Sequence, residues 1–374
     1  MNILLISGSY SNLKDGISDG AKIIRDELSK KHQVKIITTD LCEIHEVTDE
    51  YKENEVEYVK NWKICGHMWQ TIKNNLNGID VVHIEYPGVA YKKEIGICLL
   101  PYLLKKYRKI HGCSYKIVVR LHEYTQARML RKIVIRPILS HADKILIPSN
   151  IDYEYLKNIY GKKIRKTLIG SNIFVKEYKT NMAINQEFNI SYFGFIYPNK
   201  GFEDILRIWD KINKKYTEKN IKFTIIGDFN EKNNRFKEYH EELYSHIKSY
   251  GLENKIHITG YMSSEAVSEQ IALTDLAILL YKDGLTLRRG SFIAYIKHGI
   301  PVITSKGDDE CQELFKESSG IKMCENESDV MSAVESIIDM TTDEYMQMAK
   351  DNVKKSEVFD WEAIVNDITK VYEE

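Results

Sequence analysis

Two adjacent arginines at the predicted start of a helix are the residues best suited to binding an anion. Arg288 and Arg289 follow a predicted strand, Gly290 and Ser291 begin the helix, and Gly299-Ile300-Pro301 ends it. Free backbone amides at a helix N-terminus and guanidinium forks both favour phosphate groups. The segment therefore predicts a pyrophosphate site, with arginines on a solvated surface as the alternative.

A lysine occupies the corresponding position after another predicted strand. Lys200 lies in the loop Gly194-Phe195-Ile196-Tyr197-Pro198-Asn199-Lys200-Gly201, where its ammonium group could add a point charge for a phosphate. The sequence contains no D-x-D metal motif. We therefore expect lysine and arginine, with no metal and no cofactor, to neutralise the phosphate charge.

Polar residues at the strand ends of the first half could bind a hydroxylated substrate. His122 and Glu123 follow one strand, and His83 and Glu85 lie at the equivalent end of an earlier one. A Gly/Ser loop that includes Ser9 runs from Ser7 to Gly16. The loop lacks the G-x-G-x-x-G spacing of dinucleotide-binding proteins. Ordinary packing of the histidines and a plain surface role for the loop remain the alternatives.

The elements that must position these residues alternate between short apolar runs and longer amphipathic stretches. Such alternation predicts parallel sheets covered by helices on both faces, an α/β fold of two doubly wound, Rossmann-like domains. The predicted strands are Asn2–Ser7, Val34–Thr38, Asp80–Glu85, Lys116–Leu121, Lys144–Pro148, Asn189–Phe193, Lys222–Ile226, Lys255–Thr259, Leu276–Tyr281, Pro301–Thr304 and Ile321–Met323.

The interruption of this alternation at 176–187 predicts a linker between two domains. The first domain, 1–175, is expected on the acceptor side, and the second, 189–358, is expected to bind the nucleotide donor. A helical pattern over 359–374 could pack back on the first domain. The carboxyl ends of the strands of both domains are expected to face a shared cleft.

Length and composition exclude several classes of protein. The 374 residues suit two domains, and 43% hydrophobic with 29% charged residues is a globular composition. The sequence has no apolar run long enough to span a membrane and no secretory leader pattern, and its six cysteines form no C-x-x-C pair. We therefore expect a cytoplasmic protein with reduced thiols.

Positive charge is concentrated in one region of the first half. Residues 91–136 hold twelve Lys or Arg against Glu94 and Glu123, a net charge of +10, whereas the whole chain has −1. Within this region 99–106 and 127–136 combine lysine or arginine with apolar residues, which is typical of helices at the surface of an anionic membrane. A core-packed helix with a solvated basic face is the alternative, and the region contains no recognised nucleic-acid-binding module.

The chain resembles the GT-B type glycosyltransferases, and among them the large retaining family 4. The resemblance spans nearly the whole length. It rests on the order and spacing of the glycine-rich first loop, Asp80-Val81-Val82-His83, the strand ending at His122, Ala142–Ser149, Gly194–Gly201, Ile226-Gly227-Asp228 and His298–Ile303.

Two departures separate the sequence from the family pattern. Phe195 stands where the family has an arginine, and Thr286 and Ala294 stand where it has the glutamates of an E-x7-E motif. The sequence instead resembles a subgroup with a D-G-x-S/T-L-R-R-G-S element.

The resemblance implies a role for each matching residue. Lys200, Arg288 and Arg289 would bind the donor diphosphate, and His122 would contact the transferred sugar. His122, Arg288 and Lys200 would be the catalytic residues. The remaining expected contacts are Gly290, Ser291, Thr286 and Gly227 for the donor, and Ser9, Gly16, His83 and Glu123 on the acceptor side.

The sequence and the resemblance together favour transfer of a hexosyl group from a nucleotide-diphosphate sugar. We expect retention of configuration and a glycan or lipid-linked acceptor at the inner face of the plasma membrane, in bacterial surface polysaccharide synthesis. The alternatives are a catalytically silent partner of another transferase and a sugar-nucleotide epimerase of the same fold.

Overall fold

The protein consists of two compact units. The computed structural model describes residues 1–10, 16–39, 55–63, 66–91, 94–178, 187–198, 200–229 and 236–374. Unit 1 comprises Met1–Gly170 together with Trp361–Glu374, and unit 2 comprises Ser171–Asp360. Some predicted features lie outside the described residues: most of the linker (179–186), loop residues 11–15, Lys92, Lys93, Asn199, Cys42 and Cys65.

Unit 1 is built on a parallel sheet in which the order of the strands reverses beside the first one. Its strands are β1 (Asn2–Ser7), β2 (Gln33–Thr39), β3 (Val56–Val59), β4 (Val81–Tyr86), β5 (Lys116–Leu121), β6 (Lys144–Ile147) and β7 (Ile164–Lys166), with helices α1 (Gly16–Ser29), α2 (His67–Asn74), α3 (Gly96–His111), α4 (Met129–His141) and α5 (Asn150–Tyr160). The order is β3-β2-β1-β4-β5-β6-β7. Leu4 of β1 pairs with Val82 of β4, and both are fully buried because helices cover both faces.

Unit 2 is built on a second parallel sheet, in which the strand order also reverses beside the first strand of the unit. Its strands are β8 (Phe188–Phe193), β9 (Ile221–Ile226), β10 (Ile256–Ile258), β11 (Leu276–Leu279), β12 (Val302–Ser305) and β13 (Ile321–Cys324), and its helices are α6 (Phe202–Lys215), α7 (Lys237–Ser249), α8 (Ser264–Ala272), α9 (Gly290–Lys297), α10 (Asp309–Leu314), α11 (Glu327–Ile338) and α12 (Thr342–Ser356). The sheet order is β10-β9-β8-β11-β12-β13. The loops after β8 and β11, two neighbouring strands, therefore emerge at the same edge of the sheet.

The last helix, α13 (Trp361–Glu373), belongs to unit 1 although it follows unit 2 in the chain. It contributes Ile364, Ile368 and Tyr372 to the core that also contains Ile3 of β1. The ring of Trp361 packs against Gly170, where an added Cβ would lie 2.6 Å from Cε2 of the indole. Helix α13 thus forms part of the core of unit 1.

The structure confirms the predicted fold class, two parallel α/β sheets. Each predicted strand is present to within two residues at either end. Strands β3 and β7 were not predicted, because the short edge sequences Val56–Val59 and Ile164–Lys166 contain charged residues and no continuous apolar run.

Candidate functional site

Two glycines shape the loop that carries Lys200. Gly194 and Gly201 have φ angles of +142° and +75°, and a Cβ at Gly201 would collide with the carbonyl oxygen of Leu280. Glycine is needed at Gly201 because this conformation and this close approach both exclude a side chain. The loop places the Lys200 ammonium 4.8 Å from the ring centroid of Tyr197, a cation–π contact.

Arg289 lies at the N-terminus of α9, next to Asp283 and Tyr281. Its guanidinium group forms an ion pair with Asp283 and lies 4.4 Å from the ring centroid of Tyr281. The backbone amide of Arg289 donates to the carbonyl oxygen of Thr286 (3.1 Å). Within the described residues, no side chain caps the N-terminus of α9, so the amides of its first turn remain suited to an anion.

Tyr281 joins this cation to the first turn of α9. Its hydroxyl group is hydrogen-bonded to the hydroxyl group of Ser291 (2.9 Å). Burial raises the pKa of Tyr281 to about 12, so the hydroxyl stays protonated at neutral pH. Gly290, between Arg289 and Ser291, is exposed, and a Cβ there would meet nothing within 4 Å.

The structure brings Lys200 and Arg289 to one cavity of about 380 Å³, as expected for loops that follow neighbouring strands. All of its lining residues belong to unit 2: Tyr197, Pro198, Lys200, Lys282, Asp283 and Arg289. Arg288 is partly buried and is not part of this lining. The cavity contains three cations against one carboxylate, which makes it suited to a diphosphate.

Lys282 is the lining residue that the sequence analysis missed. Its ammonium group lies 3.5 Å from a carboxylate oxygen of Glu203 on α6. The lysine precedes Asp283-Gly284, and such a turn gives no indication of where the neighbouring side chain points. Its position directly after the predicted strand Leu276–Tyr281 was the only available signal.

Gly227 and Thr286 have structural roles beside this cavity. The amide of Gly227 donates to the hydroxyl of Thr259 (3.1 Å), and a Cβ at Gly227 would lie 2.8 Å from the carbonyl oxygen of Gly194. The two glycine loops therefore pack directly against each other. Thr286, through its carbonyl oxygen, supports the turn that ends at Arg289.

In unit 1, His122 is part of a polar cluster at the ends of β4 and β5. Its Nε2 lies 2.8 Å from a carboxylate oxygen of Glu85, and its side chain is 20% exposed. Glu123 is exposed beside it, Ser9 is buried, and Gly16 is the first residue of α1. The cluster leaves the His122 ring partly exposed to solvent.

One of the expected acceptor-side residues lies in the interior of unit 1. His83 was predicted as an acceptor-side contact, but its side chain is fully buried. Its ring contacts the Tyr372 hydroxyl and lies 3.0 Å from Glu85. Because His83 lies within β4 rather than after it, the side chain points into the packed interior.

One comparison with known proteins matches unit 2 to a described family. Residues 175–357, nearly all of unit 2, match the family model described as "Glycosyl transferases group 1". No curated protein sequence is significantly similar to the chain.

Several solved structures share the fold over the whole chain. HepE from Anabaena in complex with UDP has a TM-score of 0.71 at 15% identity, with 100% of both chains covered. Sucrose-phosphate synthase from Thermosynechococcus elongatus has a TM-score of 0.67 at 13% identity, covering 100% of this chain and 98% of that one. The lipopolysaccharide outer core galactosyltransferase WaaB has a TM-score of 0.64 at 15% identity, covering 99% and 100%. These likenesses identify the fold as GT-B.

Proposed function

We propose that the protein is a glycosyltransferase that uses a nucleotide-diphosphate sugar as donor. The observation that carries the proposal is the cavity of unit 2, in which Lys200, Lys282 and Arg289 converge beside the N-terminus of α9, which no side chain of the described residues caps. The family match over 175–357 supports the same assignment. HepE was solved with UDP, and a starch synthase IV structure from Arabidopsis thaliana of the same fold is bound to ADP and acarbose.

The chemical demand on such a site is to stabilise the departing nucleoside diphosphate. As the glycosidic bond to the donor breaks, negative charge accumulates on the diphosphate, and fixed cations lower the energy of that state. In this proposal Lys200, Lys282 and Arg289 bind the phosphates, and Gly290 and Ser291 donate amides. Arg288 follows as a contact implied by the resemblance alone, and the cations replace any metal.

His122 of unit 1 would contact the transferred hexosyl group. We infer that the acceptor hydroxyl attacks from the face that the diphosphate leaves, with a phosphate oxygen taking its proton, so that the configuration is retained. The acceptor is a glycan or lipid-linked sugar of bacterial surface polysaccharide synthesis. Ser9, Gly16 and Glu123 remain candidates on the acceptor side.

The donor site is tested by binding and turnover in matched variants. A thermal-shift screen first identifies the nucleoside diphosphate that stabilises the protein most. Calorimetry then compares Lys200→Ala and Arg289→Ala with Lys214→Ala, which removes an exposed lysine in the last turn of α6. We expect at least tenfold weaker binding in the first two, since each loses a charge-assisted contact of about 1.5–3 kcal/mol. Equal affinity in all three would contradict the proposal.

The two alternatives differ in their products. Phe195, Thr286 and Ala294, which replace charged residues of the family pattern, motivate a catalytically silent nucleotide-sugar-binding partner. An epimerase of the same fold would convert the donor without an acceptor. NMR of the products formed by the purified chain from donor alone, and from donor with acceptor glycans, separates transferase, epimerase and silent partner.

We also propose that unit 1 contacts the cytoplasmic face of an anionic membrane through the region 91–136. Among the described residues, no helix is long and apolar enough to cross a bilayer. On α4, however, the side chains of Met129 and Leu130 are 80% and 79% exposed, and Arg128 and Lys132 flank them. Such exposed apolar groups between cations favour an anionic lipid surface.

Vesicle flotation tests this contact. Leu130→Asp should reduce co-flotation with vesicles that contain phosphatidylglycerol, and Ile159→Asp, at a 57% exposed isoleucine of α5, should not. Binding to the vesicles that is equal in wild type and both variants would contradict the membrane assignment.

A further inference from the structure

A buried carboxylate in unit 1 organises the polar cluster around His122. Glu85, near the end of β4, places one carboxylate oxygen 2.8 Å from Nε2 of His122. Its other oxygen lies 3.0 Å from Nε2 of His83 and 3.5 Å from Nη1 of Arg120. The Glu85 side chain is only 4% exposed. One carboxylate thus lies within 3.5 Å of three side-chain nitrogens inside the fold, and its contact with His122 is a hydrogen bond.

The charges of the cluster keep Glu85 ionised. Burial alone would raise the pKa of this carboxyl group, but the positive charge of Arg120 and hydrogen bonds from His122 and His83 outweigh burial and hold it well below the usual value. An ionised carboxylate can only accept hydrogen bonds. Nε2 of His122 must therefore carry the hydrogen, which fixes both the tautomer and the orientation of the ring.

Contacts from α13 and from other elements of unit 1 hold Glu85 and its neighbour His83 in place. Nδ1 of His83 contacts the hydroxyl of Tyr372 on α13, and the ammonium of Lys116 donates to the backbone carbonyl of Tyr372 (2.6 Å). The hydroxyl of Tyr91 donates to the backbone carbonyl of Glu85 (2.6 Å). Because these partners come from separate elements, the position of the carboxylate is set by the tertiary structure.

We propose that Glu85 is a positioning residue that fixes the tautomer and orientation of His122 for contact with the transferred sugar. The proposal rests on the proposed function for the sugar contact, but the tautomer itself can be measured without any substrate. Tyr372 and His83 hold Glu85 in place, so α13 contributes indirectly to the site. This gives a structural reason for the return of the chain to unit 1.

The substitution Glu85→Gln tests the tautomer. The single amide oxygen of glutamine is expected to face His83 and Arg120, whose nitrogens lie 3.0 and 3.5 Å from the corresponding oxygen of Glu85. The amide NH₂ would then face Nε2 of His122, and the ring must move its hydrogen to Nδ1 in order to accept. Glu85→Asp keeps an acceptor-only group and should retain the wild-type tautomer.

The measurement is the ¹⁵N NMR shift of the imidazole nitrogens in protein labelled at histidine, with His122→Gln used to assign the signal. We expect the Nε2–H form in wild type and Glu85→Asp, and the Nδ1–H form in Glu85→Gln. The same tautomer in wild type and Glu85→Gln would overturn the proposal. Tyr372→Phe, which keeps Glu85, serves as a second variant if Glu85→Gln does not fold, and should broaden or split the His122 signal; an unchanged signal there counts against the proposal.

Measurement of the turnover rate tests the role of Glu85 in sugar transfer. Glu85→Gln should lower kcat about 100-fold, the order expected for a misplaced contact group, with little change in donor affinity because the diphosphate site lies in unit 2. Glu85→Asp should restore part of the loss. A wild-type kcat in Glu85→Gln would overturn the positioning role. Absence of sugar transfer by the wild type would overturn the proposed function, and the NMR result would still decide the tautomer.

Discussion

The guanidinium group of Arg289 lies over the ring of Tyr281, with 4.4 Å between its central carbon and the ring centroid. The hydroxyl of the same tyrosine bonds the hydroxyl of Ser291 at 2.9 Å. One buried aromatic side chain thus orients a cation and the first turn of α9 together. The cation is held in place before any ligand arrives, which reduces the entropy lost on binding.

Replacing Tyr281 should weaken binding of the nucleoside diphosphate in two steps. Tyr281→Phe keeps the ring under Arg289 and loses only the Ser291 contact, whereas Tyr281→Leu loses both. A cation–π contact of about 0.5–2 kcal/mol makes the leucine variant bind roughly 2- to 30-fold more weakly than the phenylalanine variant. Calorimetry measures the difference, and equal affinities would show that the ring does not orient Arg289.

Removing the charge of Asp283 should strengthen binding. The carboxylate of Asp283 pairs with Arg289 in the same cavity, so a diphosphate must compete with it. Because the aspartate is largely exposed, the pair is worth at most about 1 kcal/mol, and Asp283→Asn should tighten binding up to about fivefold. Asp339→Asn, which removes an exposed acid paired with Lys219, is the matched control. Weaker binding in Asp283→Asn would contradict competition.

Two glycines beside the cavity should respond oppositely to alanine. Gly201→Ala combines a φ of +75° with a collision against the Leu280 carbonyl oxygen, and should lower the free energy of unfolding by more than about 1 kcal/mol. Gly290→Ala begins a helix with open space around the new methyl group, and should leave stability unchanged or raise it by about 0.5–1 kcal/mol. Urea unfolding compares them, and equal losses would refute this interpretation.

His298 should make the protein less stable in weak acid. Burial lowers the pKa of His298 below its usual value of 6.5, with Nδ1 bonded to the Ala294 carbonyl and Nε2 to the Ser268 hydroxyl. Between the lowered pKa and 6.5 the unfolded chain binds a proton that the folded chain does not, so this contribution to stability falls as pH drops below about 6.5.

Urea unfolding at pH 7 and pH 5 in wild type and His298→Gln isolates this contribution, because the other titrating groups are common to both. The difference in the free energy of unfolding between the two pH values should be smaller in the variant. An identical difference in both proteins would show that His298 does not titrate in this range.

The sequence predicted that Lys200 and Arg289 lie close together, but it did not predict which other side chains line their cavity. Both follow apolar strands that periodicity identifies, and parallel strands bring their following loops to one edge of the sheet. The sequence analysis did not identify Lys282, because the direction of a side chain in a turn depends on backbone angles that the sequence of the turn does not specify. Arg288 and Arg289 look equivalent in the sequence, yet only Arg289 lines the cavity.

The amino-acid sequence by itself determined the two α/β sheets, since runs such as Ile3–Ile6 can be buried only when helices cover both faces. It also determined which loops carry the cations. Only the tertiary structure decided that His83 is buried, that Glu85 holds His122, and that Tyr372 of the last helix reaches His83 from the far end of the chain. Glu85 and His122 are 37 positions apart, and His83 and Tyr372 are 289 positions apart. No local pattern encodes a pairing that depends on how whole elements pack.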